Sequence, residues 1–572
     1  MKIYENDCNL PGLPVAELKD TCQTLKKMIE PLVTDIVLEK TGDLLDSFCS
    51  GEGQILQEHL LRWKNGMPYN ESWLRPMWDD MCLCFRDSLP IYMNFDFQLN
   101  SKRWQDNALA KLIAGLARAI DLLRQDNLAA ETSGKGYLSM DTLYSMIYTR
   151  IPNSTRDDLY YPPLCAPLTA AVVCKGHWFI LSLTGPNNLP VSFAAIAGRL
   201  SEIRNIAEHM DVSEKIGAFT TLDRDSAHTL RSRLQENLLN RTNFEKIEKA
   251  LFVVCLDEPL TEEEVFGHRT LGGDAENRWY DKSLQIISCE DKIGTNFEHA
   301  GCDAGIWCYL LSQADRLICE NKVDDGDGKA HISKLEWNIS SADKKELLHA
   351  QLQFKDMLSK IAVGQKKITT LSKEAIKEKK CSPDAFVQMA FQAAYYSLTG
   401  SFRSVYESVS TRNFYQGRTE CIRGCTMESK DFVTELCKQN LEKTILQEKF
   451  KKAIAAHMQT LARCQAGMGP ERHMTGLLAM HKMYEDTDIP KIFADEGYLS
   501  LRHDALSTSS VTGPCIDFFG FGPVTQDGIG IGYGISAQSL NLMVTAYPES
   551  KIQPDVFINE VEKYGKLMLD LL

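Results

Sequence analysis

Short apolar runs alternate with longer amphipathic stretches in both halves of this 572-residue chain, and this alternation constrains its fold more than any other feature. Ala170–Leu183 consists of two apolar runs around Lys175-Gly176, which predicts a β-hairpin. Leu251–Leu256 and Leu284–Cys289 are further predicted strands, and a helix-like run follows from about residue 299 to 317. Strands and helices therefore mix within the first half.

The second half repeats this mixture beyond a polar junction. Asn321–His331 is rich in Asp and Gly, which predicts a loop and a domain boundary. Pro383–Leu398 predicts an amphipathic helix with Ser382 as its N-cap. Three closely spaced strands are predicted at Ile516–Val524, Ile529–Ile535 and Leu540–Ala546. The predicted fold class is α/β with two mixed halves, preceded by some eighty residues that predict helices alone.

Charge and cysteine spacing exclude several classes of protein. The formal net charge is −14, and binding to a phosphate backbone needs a basic face, so we expect no nucleic-acid partner. The 18 cysteines include no two facing CxxC pairs, so we expect no zinc ribbon, and no metal site is predicted. No uninterrupted apolar run reaches about 18 residues, so no transmembrane segment is predicted. The N-terminus lacks the apolar core of a signal peptide, which favours an intracellular protein with reduced thiols.

His299 is the first candidate catalytic residue, because it stands between a predicted strand and a helix-like run, where a side chain can project into a cleft. An imidazole titrates near neutrality, as a general base requires. Asp303 follows four residues later and would share a face with His299 if the segment is helical. A polar surface histidine is the alternative interpretation, and spacing alone leaves both open.

A cluster of hydroxyl groups follows in the second half. Tyr406, Ser408 and Ser410 alternate along the sequence, so they would share one face of a strand, and Thr419 follows closely. Hydroxyls both donate and accept hydrogen bonds, which suits recognition of a small polar ligand. A serine within Ser507–Ser509 could donate to a developing oxyanion. A polar strand face and an ordinary serine-rich loop are the alternatives.

Three further patterns concern phosphates and cofactors. Four lysines between residues 373 and 380 form a positive patch that can hold phosphate groups, although a solvated loop is the alternative. Gly528–Gly534 lacks the spacing of a dinucleotide-binding loop. Asp325–Glu336 carries Lys329 where a calcium loop has an acidic ligand. We therefore expect neither a dinucleotide nor a calcium site.

Taken in order along the chain, these motifs resemble those of the carnitine/choline acyltransferase family. The resemblance spans nearly the whole chain and rests on many collinear segments at similar intervals. These segments are Leu10–Val15, Phe48–Gly53, Tyr148–Pro152, Thr220–Asp225, Asn277–Leu284, Glu298-His299, Ser382–Phe386, Tyr406–Ser408, Gly417–Thr419, Ser507–Ser509 and Phe521–Val524.

The resemblance implies two similar domains of mixed sheets flanked by helices, like chloramphenicol acetyltransferase, with an active-site tunnel between them. It implies N-terminal helices at residues 1–80 that pack with the C-terminal half. An N-terminal acyltransferase domain with the catalytic histidine would span residues 81–342. A C-terminal domain with the coenzyme A and carnitine motifs would span residues 343–572.

The resemblance also implies residue roles. His299 would be the general base, with Asp303 beside it, and Ser509 would donate to the oxyanion, helped by the acceptor's own ammonium group. The carnitine-binding residues implied are Tyr406, Ser408, Thr419, Arg472, Ser507 and Phe521. The coenzyme A-binding residues implied are Lys373, Lys377, Ser382, Asp384 and Ser410.

The acceptor predicted in this way is carnitine. Choline has no carboxylate, and a choline enzyme has no use for Thr419 and Arg472, which match positions that hold one. A choline acetyltransferase and an inactive protein that binds acyl-CoA or carnitine are the alternatives. The joint presence of His299, Ser509 and Arg472 argues against the inactive protein.

The acyl chain length is predicted less directly. Phe519 stands where short-chain members of the family carry a bulky residue, so it should fill the acyl pocket and favour short to medium chains. Gly520–Pro523 and Arg418–Glu420 resemble the palmitoyltransferase branch instead, so a long-chain enzyme is the alternative. Met458 and Ser510 replace a basic residue and a glutamine common in relatives, which leaves the affinity for coenzyme A open.

The resemblance implies no resident cofactor, because coenzyme A and acyl-CoA are substrates. We expect a monomer. Cytoplasm is the expected location, with mitochondria as the alternative.

Overall fold

The computed structural model describes residues 6–68, 70–134, 136–185, 189–324, 326, 329–485 and 487–572. Its helices are α1 Leu18–Ile29, α2 Asp35–Ser50, α3 Glu52–Gly66, α4 Arg75–Leu83, α5 Ala108–Arg124, α6 Asp141–Tyr144, α7 Phe193–Glu208, α8 Arg224–Glu236, α9 Leu238–Lys249, α10 Phe266–Leu271, α11 Ala304–Cys319, α12 Ser341–Ser359, α13 Lys373–Glu378, α14 Pro383–Thr399, α15 Met427–Lys438, α16 Lys443–Gln465, α17 Pro470–Tyr484, α18 Glu496–Arg502 and α19 Pro554–Leu571.

The strands form two large mixed sheets and two small hairpins. They are β1 Phe95–Leu99, β2 Thr132–Ser133, β3 Gly136–Tyr137, β4 Thr149–Ile151, β5 Asp158–Tyr160, β6 Thr169–Cys174, β7 His177–Ser182, β8 Val253–Asp257, β9 Gln285–Cys289, β10 Lys292–Phe297, β11 Ile332–Lys334, β12 Ala362–Ile368, β13 Val405–Ser410, β14 Thr419–Arg423, β15 Leu506–Ser510, β16 Ile516–Phe521, β17 Ile529–Ile535 and β18 Leu540–Ala546. The eight-stranded sheet has the order β11-β7-β6-β8-β9-β10-β1-β16, and the six-stranded sheet has the order β12-β18-β17-β15-β13-β14.

The predicted class, two mixed sheets flanked by helices, is confirmed. The hairpin β6–β7 turns at Lys175 and Gly176, which have φ angles of 51° and 73°. This left-handed backbone is easy for glycine and explains why the turn falls there. The three C-terminal strands also form where the apolar pattern predicts them. The tunnel between the sheets stays a prediction.

Strand β16 leaves the six-stranded sheet and completes the other one. It pairs antiparallel with β1, so that Phe519 lies opposite Phe97 and Phe521 lies opposite Phe95. A segment from the C-terminal half of the sequence is therefore an edge strand of the N-terminal sheet. The division of the chain at residues 81 and 343 stays a prediction. Strand β16 belongs to the range 343–572 by sequence but to the sheet of the range 81–342 by pairing.

The N-terminal helices α1 to α3 pack on α17 and α18, which are far away in sequence. Thr41 Oγ1 donates to Asp495 Oδ2 at 2.6 Å, and Thr21 Oγ1 lies 2.7 Å from His473 Nδ1. The ring centroids of Phe48 and Phe493 are 5.9 Å apart. Amphipathic helices without a sheet of their own bury their apolar faces on this second half. Among the described residues, no helix is long and apolar enough to cross a membrane.

Candidate active site

His299 lies in the turn after β10, not in a helix. The helix α11 begins at Ala304, with Asp303 as its N-cap residue. The two side chains still meet, since His299 Nδ1 is 3.7 Å from Asp303 Oδ1. The expectation that a shared helical face brings them together is therefore wrong, and the turn does so instead. The His299 side chain is 38% exposed while its Nδ1 atom is buried, so the opposite edge of the ring, with Nε2, faces open space.

Arg418 clamps this turn from the C-terminal half. Its Nε and Nη2 atoms donate to the Asp303 carboxylate at 2.8 and 3.0 Å. It also donates to the carbonyl oxygens of Ala300 and His299, at 3.0 and 3.2 Å. Burial by itself would raise the pKa of Asp303, but Arg418 and then His299 outweigh it and hold the pKa below its usual value. Asp303 therefore stays ionised beside the imidazole.

Glu298 anchors the same turn from the opposite side. Its fully buried carboxylate accepts hydrogen bonds from Tyr148 Oη at 2.5 Å and from Arg150 Nη1 at 3.0 Å. It also accepts from the backbone N–H of Ala300 at 3.0 Å. Arg150 in turn pairs with Asp157 at 2.7 Å. A buried, hydrogen-bonded charge network of this kind holds the backbone at His299 rigid.

The hydroxyl residues line one face of the six-stranded sheet. Strands β13 and β15 run parallel, with Tyr406 opposite Ser507. Ser408 Oγ and Ser509 Oγ are 2.9 Å apart, so these two side chains on different strands meet, a contact that the alternation along β13 alone did not predict. Tyr406 and Ser408 are half-buried between buried neighbours on β13, and Ser509 is half-buried between the buried Thr508 and the exposed Ser510. Two hydroxyls that face open space are available to a developing oxyanion.

Arg472, on α17, joins Tyr406 and Thr419. Its Nη2 atom lies 3.3 Å from Tyr406 Oη and 3.4 Å from Thr419 Oγ1, and its Nε donates to the Thr419 carbonyl at 2.9 Å. In the part of the chain that the structure describes, no carboxylate makes a salt bridge to this guanidinium within 4.0 Å. The guanidinium therefore keeps capacity for an anionic ligand.

Trp78, which no sequence motif singled out, lies between two arginines. Its ring centroid is 4.7 Å from the guanidinium carbon of Arg472 and 5.2 Å from that of Arg418. Its indole Nε1 is buried and has no hydrogen-bond partner within the described residues. Such an N–H donor beside a half-buried arginine is available to a ligand. Helix α4 supplies Trp78, so the N-terminal segment completes the site.

Contacts connect these groups across the two halves. Arg418 touches the His299 turn, and the adjacent Thr419 touches Arg472. Arg472 touches Tyr406, whose strand also carries the Ser408 that meets Ser509. The structure thus brings the candidate base, the candidate carboxylate site and the candidate oxyanion donors into one continuous network.

Strand β16 brings Phe519 to Phe95, the ring that contacts His299, and the Phe521 ring lies 5.6 Å from that of Phe519, so a carnitine contact of Phe521 stays a prediction. The Phe519 ring is 5.8 Å from Phe97 and 6.1 Å from Phe95, and it is 5% exposed. Phe518 points to the other face, where Lys367 Nζ lies 5.7 Å from its ring. The register of β16 therefore makes Phe519, and not its neighbour, part of the apolar wall near His299.

The candidate coenzyme A residues are spread over α13 and the start of α14. Lys373 and Lys377 are exposed, and no salt bridge to either is present in the described ranges. Ser382 is the N-cap residue of α14, but its side chain makes no capping bond. Asp384 accepts a hydrogen bond from Tyr533 Oη at 2.7 Å.

Ser410 lies at the end of β13 and accepts from the backbone N–H of Arg412 at 3.3 Å. Ser410 lies opposite Thr419, a member of the His299 network, in the pairing of β13 with β14, whereas neither lysine bonds to that network within the described ranges. Their assignment to coenzyme A stays a prediction.

One group of side chains has the spacing of metal ligands. Asp384, Glu407 and His457 place ligand atoms within 4.8 Å of one another. His457 Nε2 already lies 2.9 Å from Glu407 Oε2, and burial, then Asp384, raise the pKa of Glu407 to about 7. The imidazole and the Glu407 carboxylate therefore already serve as partners for each other. Of the rejected calcium loop, residues 325, 327 and 328 lie outside the described residues.

Comparison with known proteins now defines the class. The profile described as Choline/Carnitine o-acyltransferase matches residues 13–563. The chain belongs to this family and is an acyltransferase.

Named relatives show both chain-length branches. A candidate mitochondrial carnitine O-acetyltransferase of Saccharomyces cerevisiae is 30% identical, covering 94% of this chain and 90% of its own. Carnitine O-palmitoyltransferase 2, mitochondrial, of Bos taurus is 28% identical, and the match covers 99% of this chain and 92% of the bovine chain. Carnitine O-acetyltransferase of Rattus norvegicus is 29% identical, and the match covers 94% of this chain and 89% of the rat chain. Acetyl- and palmitoyltransferases match about equally, so similarity does not resolve the acyl chain length.

Proposed function

We propose that this chain is a carnitine O-acyltransferase, which reversibly transfers short- to medium-chain acyl groups between coenzyme A and carnitine. The observation that carries the choice of acceptor is Arg472, half-buried, held by Tyr406 and Thr419, and without a salt-bridge partner among the described residues. A carnitine carboxylate would supply its missing anion, whereas choline would leave the charge uncompensated. The relatives named for carnitine support the same choice.

In the proposed reaction His299 Nε2 takes the proton of the carnitine hydroxyl, and the oxygen attacks the thioester carbonyl carbon. Ser509 donates to the resulting oxyanion, with Ser408 bonded behind it. The tetrahedral intermediate collapses, the carbon–sulfur bond breaks, and the coenzyme A thiolate takes the proton from the imidazolium. Asp303 beside Nδ1 stabilises that imidazolium. The reverse reaction uses the same base on the thiol. No resident cofactor or metal is needed.

Phe519 supports short to medium chains, because a buried phenyl group occupies the apolar side of His299. A long-chain enzyme is the second candidate, favoured by the similarity to palmitoyltransferase 2. Relatives named as mitochondrial support mitochondria over the cytoplasm as the location. Fractionation of cells that express the full chain would test this choice, with recovery in the cytosol alone contradicting it.

The decisive experiment measures release of coenzyme A thiol from acyl-CoA esters, from acetyl to palmitoyl, with L-carnitine or with choline. We expect release with carnitine only, highest with the shorter esters, and loss of release in His299→Ala. His209→Ala, an exposed histidine on the surface, is the matched control and should keep activity. Release with choline alone would refute the acceptor, and no release with either would favour a binding protein.

A further inference from the structure

A wall of buried aromatic side chains begins at His299 and continues between the eight-stranded sheet and α11. Each of its members is at most 5% exposed: Phe95, Phe97, Phe297, Trp307 and Phe519. Phe297 lies opposite Phe95 in the pairing of β1 with β10, and its ring centroid is 4.9 Å from that of Trp307. The wall occupies the apolar side of the candidate base.

Phe95 is the member that touches His299. Their ring centroids are 5.0 Å apart in an edge-on arrangement. Phe95 also lies 4.9 Å from Phe297 and 6.1 Å from Phe519. Within the described residues no other aromatic ring contacts His299, and the ring partners of Phe519 are Phe95, Phe97 and Phe521. Phe95 therefore stands between the base and Phe519.

The direction of the acyl chain follows from the polar groups around His299. A carbonyl carbon under attack must lie near the base and near Ser509, while the acceptor carboxylate lies at Arg472 on the six-stranded sheet. An apolar tail avoids these charged groups and turns to apolar surface, which beside His299 is the ring of Phe95.

We propose that Phe95 is the first wall of the acyl pocket and sets the upper chain length, with Phe519 behind it as the second wall. This inference deepens the proposed function and rests on it. It differs from the expectation that Phe519 alone closes the pocket. With Phe95 in place, space opened at residue 519 stays out of reach of the acyl chain.

Truncation of Phe95 should open a pocket lined by Phe297, Phe97 and Phe519. An apolar cavity of this kind stays dry and binds apolar groups. Each methylene buried there should favour the longer ester about 4-fold in kcat/KM, since burial contributes ~0.8 kcal/mol per methylene. A cavity that takes up three or four methylenes would change the ratio of kcat/KM for octanoyl-CoA to that for acetyl-CoA by roughly 100-fold.

The test compares full-length variants over the ladder of acyl-CoA esters, using ratios of kcat/KM so that any general loss at His299 cancels. We expect Phe519→Gly to leave the ratio near that of the unaltered protein, Phe95→Ala to raise it, and the double variant to raise it further. Phe95→Leu, which removes less volume, should act in the same direction and keeps the test open if Phe95→Ala fails to fold. Phe179→Ala is the matched control, because Phe179 is buried in the same core on β7, five strands from β1.

A ratio that rises in Phe519→Gly and stays unchanged in both Phe95 variants would overturn the inference. Calorimetric dissociation constants for the same acyl-CoA esters separate it from the proposed function. Binding that shifts to longer esters in Phe95→Ala supports the pocket even if no variant transfers an acyl group to carnitine. If the Phe95 variants are active but change neither the ratio of kcat/KM values nor the preference in the dissociation constants, the proposed function stands and the pocket is refuted.

Discussion

Replacing Arg418 by methionine tests whether the catalytic turn is held from the other half of the chain. The change removes both donors to the Asp303 carboxylate, at 2.8 and 3.0 Å, and the donors to the carbonyls of Ala300 and His299. Methionine is unbranched like arginine and fills much of the same volume, although the guanidinium 5.2 Å from the Trp78 ring is removed as well. The substitution therefore removes the charge and the fork while it disturbs packing little.

The loss of stability follows from the burial of the pair. The side chains of Arg418 and Asp303 are 2% and 13% exposed. Breaking such a pair on one side costs about 3–5 kcal/mol, because the remaining charge stays buried without its partner. The pKa of Asp303 is held below its usual value in the intact protein, so the stabilisation is present above the unfolded pKa and is lost as pH falls through the folded one. The difference in free energy of unfolding between the intact protein and Arg418→Met should therefore narrow toward acid pH.

The loss of activity should exceed what stability explains. Without Arg418 the His299 turn loses two backbone anchors and the imidazole loses an ionised neighbour. A misplacement of about 1 Å at a reacting group can cost roughly 100-fold in rate. We expect kcat to fall by about that factor in Arg418→Met. In Arg418→Lys, which keeps the charge but loses the paired guanidinium donors, kcat should fall less.

Urea unfolding and steady-state kinetics of the single variant and of Arg418→Met/Asp303→Asn provide the assay. The double variant removes both charges, so it should regain much of the lost stability without regaining activity. The proposed role of Arg418 would be refuted if the free energy of unfolding of Arg418→Met lies within about 0.5 kcal/mol of that of the intact protein and its kcat lies within two-fold.

Three further outcomes can be measured. Arg472→Lys should raise the KM for carnitine at least 10-fold and leave the KM for acyl-CoA unchanged, since a point charge replaces the fork; equal effects on both KM values would contradict this. Ser509→Ala should lower kcat by about 100- to 1,000-fold in stopped-flow turnover, and Ser408→Ala less, because one donor to an oxyanion is removed; a loss in KM alone would argue against that role. Burial raises the pKa of Asp96 to about 7, partly offset by its bond to Thr270, so the folded state binds a proton that the unfolded state releases. Stability should therefore fall by up to about 1.4 kcal/mol per pH unit between pH 4 and 7, and Asp96→Asn should remove that slope in urea titrations; an unchanged slope would exclude Asp96 as its origin.

Local pattern was sufficient for much of the architecture. The hairpin at Lys175-Gly176, the helix from Pro383 and the strands after residue 528 form where apolar spacing and turn residues predict them, because these signals act between neighbours in the chain. Strand β10 was missed, since Lys292–Phe297 mixes glycine and polar residues and becomes a strand only through pairing with β9 and β1.

The sequence by itself determined the family and the alternation that puts Tyr406 and Ser408 on one face. Tertiary structure decided the rest of the site. Arg418 reaches Asp303 across 115 positions, and β16 joins the sheet of the other half. Contacts between distant segments depend on how whole sheets and helices pack, and no periodicity within one segment encodes them. For the same reason Trp78 and Phe95, on elements from the first hundred residues, became candidates for function only after the chain was folded.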